Sequence, residues 1–276
     1  MKTPIRIAVA IAAALTPALA QGHEFWLSPS VYAIAPGQAT AVTARTGEAF
    51  CGPAKTWARE RSVRFLVRTS RLINLTDIAF AGDGPWVKFA PTDKGGAMLA
   101  FESTFTPIQL PGAKFNAYLA EEGLTGPLAA RGESEESGRE RYRRCAKTWL
   151  SGDDAKRATE PMGLPLEIVP SSIPGRDTVL VVTVLRGGQP LAGALVRAWR
   201  APLGAAGVPL DAARRDSSAM AWEGRTGADG MIAVPVRESG EWLVSLVDMA
   251  PSAEPSEADW ESTWASLTFA RNEIAR

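Results

Sequence analysis

The chain has 276 residues, 30 basic and 30 acidic side chains, and a single histidine. That length holds one large domain or two ordinary ones. The balanced charge argues against a general polyanion binder, so nucleic acid is not an expected partner.

Residues 1–20 read as a secretory signal peptide: Lys2 and Arg6 are basic, Ile7 to Leu15 is apolar, and Ala18-Leu19-Ala20 is a small-residue cleavage site. Its removal leaves 28 basic against 30 acidic residues, a net charge of about −2. No second apolar run approaches the roughly 20 residues that cross a bilayer, so no integral membrane anchor is expected. The new terminus carries no cysteine for a lipid. The protein is expected to be periplasmic or secreted.

Cleavage after Ala20 makes Gln21-Gly22-His23 the mature terminus. A free α-amine, two deprotonated backbone amides and the His23 imidazole then supply four nitrogens in a plane. Tetragonal nitrogen sites suit Cu(II) and Ni(II). Gly22 leaves the backbone free to flatten around the ion. Cyclisation of Gln21 would block the amine, and cleavage after Gly22 would leave only an amine–imidazole chelate at His23. The bland alternative is a solvated histidine ahead of the first strand.

Strand signals follow. Phe25 to Leu27, Val31 to Ile34, Gln38 to Thr46, Val63 to Thr69, Trp86 to Phe89, Met98 to Phe105 and Lys114 to Leu119 are short apolar or alternating runs between Gly and Pro turns. That pattern predicts a β-sandwich over residues 21–120. Cys51 and Cys145 are the only cysteines. An exported chain with one pair is expected to form a disulfide, whereas a thiolate metal pair or a redox couple would favour C-x-x-C spacing.

Residues 121–170 are polar. Glu140, Arg143, Arg144 and Lys147 lie at three- and four-residue spacings, which predicts a short helix in Glu133 to Lys147 and a partly helical, solvated connector, with an Arg-rich anion or partner patch as its functional alternative. A second β-sandwich is expected over 171–276. Val179 to Leu185 reads as a buried strand, Gly187-Gly188 as a turn, and Leu191 to Trp199 as a strand. Thr226 to Gly230 reads as a hairpin loop, Met231 to Val236 and Trp242 to Val247 as a meander, and Thr263 to Phe269 as the last strand. The fold class is therefore all-β, with two sandwich units.

Gly188 to Val196, Thr226 to Gly230 and Gly240 to Val244 resemble the transthyretin-like, or carboxypeptidase-regulatory, type of sandwich. The whole mature chain resembles the DUF4198 family of bacterial exported proteins. The residues that carry this are His23-Glu24-Phe25-Trp26-Leu27, Arg139 to Lys147, Pro161 to Pro170 and Asp259 to Phe269. The resemblance implies a periplasmic component linked to nickel or cobalt uptake, so Ni(II) and Co(II) join Cu(II) as candidate ions. A membrane transporter or another envelope protein is the implied partner. It also implies a histidine where this chain has Asp248, a ligand position left unfilled.

No G-x-S-x-G, P-loop or S-x-x-K is present, and a lone histidine near a terminus is a poor general base. A non-enzymatic protein is expected. Glu254, Glu257, Asp259 and Glu261 lack the spacing of an EF-hand. Trp260 and Trp264, four apart, are the candidate platform for the alternative function, a protein- or glycan-binding scaffold that uses sandwich loops.

Overall fold

A computed structural model describes residues 24–212 and 220–272. The readings on residues 1–20 and on Gln21, Gly22 and His23 lie outside the described residues. In chain order the first half comprises β1 (Glu24–Pro29), β2 (Thr40–Gly47), β3 (Ala54–Lys55), β4 (Ser62–Arg68), β5 (Leu72–Asn74), β6 (Val87–Phe89), β7 (Ala97–Ser103) and β8 (Thr106–Leu110). Next come α1 (Gly112–Glu121), α2 (Thr125–Arg131), β9 (Gly138–Leu150) and α3 (Ala155–Thr159). The second half comprises β10 (Leu166–Pro170), β11 (Val179–Arg186), β12 (Gln189–Pro190), β13 (Leu195–Ala201), β14 (Met220–Arg225), β15 (Met231–Pro235), β16 (Gly240–Pro251) and β17 (Trp260–Arg271).

One nine-stranded sheet organises the molecule in the order β14-β13-β16-β17-β9-β7-β4-β5, with β8 also paired to β9. Two four-stranded sheets pack against it: β1-β2-β3 with β6 on β2, and β10-β11-β12 with β15 on β11. Strand alternation assigns each small sheet to one face. Phe65 and Val67 of β4, Leu99 and Phe101 of β7, and Ala146 and Leu150 of β9 join Leu27, Val42 and Ala44 of the first small sheet. The intervening Leu66, Met98, Ala100, Cys145 and Trp149 join Ile168, Val182 and Val184 of the second. Strands buried on both faces read as unbroken apolar runs, which is why Ala97 to Phe101 shows no polar residue. The all-β sandwich architecture expected from the sequence is present, built as two sandwiches that share a central sheet.

The centre of that sheet is β9, where a helix was expected. Its charges alternate with period 2. Arg139 pairs with Asp259, Arg141 with Glu257 and Glu261, and Arg143 with Glu102, all reaching to flanking segments. The helical spacings of Glu140, Arg143, Arg144 and Lys147 are incidental to this alternation. The seam between β9 and β17 is parallel, from Trp260↔Glu140 to Thr268↔Thr148. Conversely, Lys114 to Leu119 is helical. Phe115, Tyr118 and Leu119 are its buried residues at i, i+3 and i+4, the stripe of one helix face. Gly138 admits this packing, since a Cβ there would lie 2.2 Å from the Phe115 ring.

Val31 to Ile34 forms only a bridge from Ala33 to Ser151. Gly187 and Gly188, at φ 55° and 78°, close the β11–β12 turn as their positive φ angles allow. Asp229-Gly230 also turns the chain, with Gly230 at φ 72°. It is not a hairpin: β14 pairs with β13 in the large sheet, while β15 pairs with β11 in the small one. The expected meander of β15 and β16 is split between sheets in the same way.

Cys51 and Cys145 do not form the expected disulfide. Cys51 follows β2 beside Phe50, and its Sγ donates to the Ala212 carbonyl at 3.2 Å. Cys145 faces the core on the opposite side of the large sheet, so the sheet itself stands between the two. Burial pushes the Cys145 thiol up to about 12, and the thiolate is the reactive form. Native protein at pH 8 should therefore leave Cys145 unlabelled by a thiol reagent until denaturant is added, and reductant should not shift the melting temperature. A mass two hydrogens short of the dithiol, or a lower melting temperature on reduction, would contradict this arrangement.

Candidate functional site

The β8–β9 and β9–β17 pairings carry the polar floor of a cleft of about 570 Å³. Alternation on β9 sends Glu140, Tyr142 and Arg144 into it, opposite to the Arg139, Arg141 and Arg143 row. One wall is Phe25 of β1, Trp86 and Phe101. The Trp86–Phe101 centroids lie 5.0 Å apart edge to face, and those of Phe25 and Phe101 lie 5.5 Å apart. The facing wall is Tyr118, Tyr142 and Trp264, with Tyr118 and Trp264 stacked 6.3 Å apart at 15°. Lys55, Glu60 and Arg61 stand exposed at the rim.

Parallel register puts Arg144 directly opposite Trp264. Its guanidinium lies over the Trp264 ring at 4.7 Å and the Tyr142 ring at 4.9 Å. Two aromatic faces thereby fix a cationic fork inside an apolar cleft. Glu140 is buried, and its Oε1 accepts from the Ser262 hydroxyl and from Tyr118 Oη at 3.4 Å. Burial raises its pKa above the ordinary carboxylate value, against the lowering by those hydroxyls and Arg144. Tyr118 is likewise raised, first by burial and then by Glu140.

Beside the cleft the described chain begins. Glu24, the residue joined to His23, is buried at the start of β1, and Thr46 Oγ1 donates to its carbonyl at 3.0 Å. Burial pushes its carboxyl up to about 7; nearby Glu122 adds to this, while Arg197 and Arg144 oppose it. Glu122, just past α1, pairs with Arg197 at 2.6 Å. Its carboxyl too is held up at about 7, chiefly by burial. A chain of charged groups thus runs from the first residue of β1 to the cleft: Glu24, Glu122, Arg197 and Arg144.

The other residues singled out from the sequence lie as follows. Trp264 is buried at 5% exposure in a cluster with Phe115, Tyr118, Val247 and Met249, and half-buried Trp260 packs against it. Trp264 also lines the cleft. Asp259 and Glu257 are held by Arg139 and Arg141, and Glu261 by Arg141 at 2.6 Å. Asp248, at the position of the implied histidine, pairs with Arg186 at 2.8 Å. Among the described residues no group of three or more His, Cys, Asp or Glu is arranged to hold a metal ion. Nor is any helix among them long and apolar enough to cross a membrane. The sequence places Glu140, Tyr142 and Arg144 in a connector, with Glu140 and Arg144 at helical spacings, and so does not bring them together on one strand face. The signal available was Glu140-x-Tyr142-x-Arg144 interleaved with Arg139-x-Arg141-x-Arg143.

A family model described as "Domain of unknown function (DUF4198)" matches residues 20–249. No curated protein matches. Among solved structures the chain is similar to one described as the D0-D1 domain of intimin, at 14% identity and a TM-score of 0.20, over 89% of this chain and 97% of that one.

Proposed function

The chain belongs to the DUF4198 family, and we propose that it serves as an exported, non-enzymatic metal-binding accessory. In this reading the mature terminus, Gln21-Gly22-His23, takes one Cu(II) or Ni(II), with Co(II) a poorer fit to the planar nitrogen set. The observation that supports it is the anchoring of Glu24. Its side chain is buried beside Glu122 and Arg197, and its carbonyl accepts from Thr46, so the residue that follows His23 in sequence is fixed in the fold. The ion is delivered to an envelope partner such as a membrane transporter. The second reading is a protein- or glycan-binding scaffold that uses sandwich loops; Trp264 is buried and half-buried Trp260 packs against its cluster.

The test is Cu(II) added to the mature protein and followed by visible absorption. One equivalent should give the single d–d band of a square-planar nitrogen complex, and His23→Ala should remove it. The band should fade as pH falls, because the imidazole and the amides must lose protons to coordinate. A band that survives His23→Ala would place the ion elsewhere and overturn the reading.

A further inference from the structure

The terminal chelate leaves the aromatic cleft without a role, and the cleft has its own recognition chemistry. Its volume of about 570 Å³ falls within the range of about 300–1,000 Å³ typical of small-molecule sites. Rings line both walls, and flat apolar bodies insert between such faces. The polar group left open between them is one oxygen of Glu140, a residue 4% exposed that lines the cleft. Its Oε1 is taken by the Ser262 hydroxyl and by Tyr118 Oη. Its Oε2 accepts no hydrogen bond among the described residues, yet it is not sealed inside the protein. Two donors on one oxygen thus fix the carboxyl, and the other oxygen is the acceptor that the cleft offers. An unpartnered acceptor on so buried a residue has lost water without compensation, which a donor on a ligand would restore. The neighbouring hydroxyls are already spent: Ser62 donates to the Ala58 carbonyl at 2.7 Å and Ser103 to the Thr104 carbonyl at 2.8 Å. Arg144 is engaged too, over two rings and towards Glu140 and Glu24, and it is not a recognition group here.

We propose that this cleft binds a neutral phenol, a flat aromatic body with one hydroxyl, with the ring between the two walls and the hydroxyl donating to Glu140 Oε2. The three alternatives fit less well. A cationic donor would meet the positive charges of Arg144, Lys55 and Arg61. A carboxylate has no proton to give to Oε2. A sugar ring carries several hydroxyls, and the cleft leaves too few groups open to pair with them. The ring supplies most of the buried apolar area, and Glu140 supplies the discrimination. The site is separate from the terminal chelate and needs no metal.

The experiment uses 4-fluorophenol and its methyl ether, 4-fluoroanisole, as probes, read by fluorine NMR line broadening in metal-free buffer on the full mature chain. The two share a ring, but the ether has no proton to donate. The phenol should bind, and the ether should bind about tenfold or more weakly, as expected for loss of one hydrogen bond to a carboxyl group. Glu140→Gln keeps an oxygen for Ser262 and Tyr118 but sets an amide NH₂, a donor, where Oε2 stands, and should erase most of that preference. Phe25→Leu removes a ring and no hydrogen bond, and should weaken both probes alike. The comparison of phenol with ether on unaltered protein needs no variant to fold. Equal binding of the two probes, no broadening of either at millimolar concentration, or a preference that survives Glu140→Gln overturns the proposal. The metal reading stands or falls separately, because these measurements contain no metal.

Discussion

Replacing Glu167 with leucine should be the most damaging single change in the protein. Lys147 and Glu167 are each 1% exposed, and Lys147 Nζ donates to Glu167 Oε1 at 2.7 Å and to the Ile168 carbonyl at 2.9 Å. Glu167 also accepts from the backbone amides of Met162, Gly163 and Leu164 at 2.6, 2.9 and 3.1 Å. One carboxylate therefore ties β9 to β10 and closes the turn that precedes β10. Breaking a buried pair from one side costs about 3–5 kcal/mol. Glu167→Leu leaves three amides and an ammonium without their acceptor and should reach the upper end of that range. Lys147→Met leaves the carboxylate its three amides and should cost less. The double variant should lose less than the two single losses combined, because the residues share one network. Urea denaturation checks this order. Equal losses, or a larger loss for Lys147→Met, would mean that the carboxylate is not the organising group.

Stability should also fall as pH rises from about 5 to 8. Glu24 and Glu122 are pushed up to about 7, and Glu140 is raised, in each case first by burial. A carboxyl whose folded value exceeds its unfolded one binds more protons in the native state. Its contribution is fully present below the unfolded value, near 4.5, and is lost as pH rises through the folded value. Most proteins lose carboxylate pairing in acid, so this cluster opposes the common trend. Glu140→Gln keeps the acceptor for Ser262 and Tyr118 while removing one titration. It should flatten the melting-temperature profile across this window and raise the melting temperature at pH 8. A profile that rises steadily from pH 5 to 8, unchanged by Glu140→Gln, would contradict the assignment.

The sequence makes the sandwich layers legible because alternation survives in one dimension. Val63 to Thr69 alternates between two cores, and structure and pattern agree on Phe65 and Val67 against Leu66. Pairing across sheets is not written locally. Residues 139–147 carry charges that fit both a helix and a strand. The choice is made by Asp259, Glu261 and Glu102, which are distant in sequence and neutralise one face of the strand. The same non-local choice conceals the cleft, because Arg144 meets Trp264 only through the parallel seam. Lys114 to Leu119 is a different failure. Its apolar residues after Pro111 have the spacing of a helix face rather than the alternation of a strand. The disulfide expectation rests on export and the cysteine count, and a central sheet lying between the two thiols cannot be read from either.

The central claim, one metal ion closed by the mature terminus, is tested most directly by moving that terminus. Exported protein whose intact mass places Gln21 first, uncyclised, is compared with protein carrying one extra residue before Gln21, each titrated with Cu(II). The account predicts one tightly bound ion in the first and loss of the planar nitrogen complex in the second, since the added residue displaces the amine while His23 remains. Equal binding by both forms, or none by the first, would contradict it.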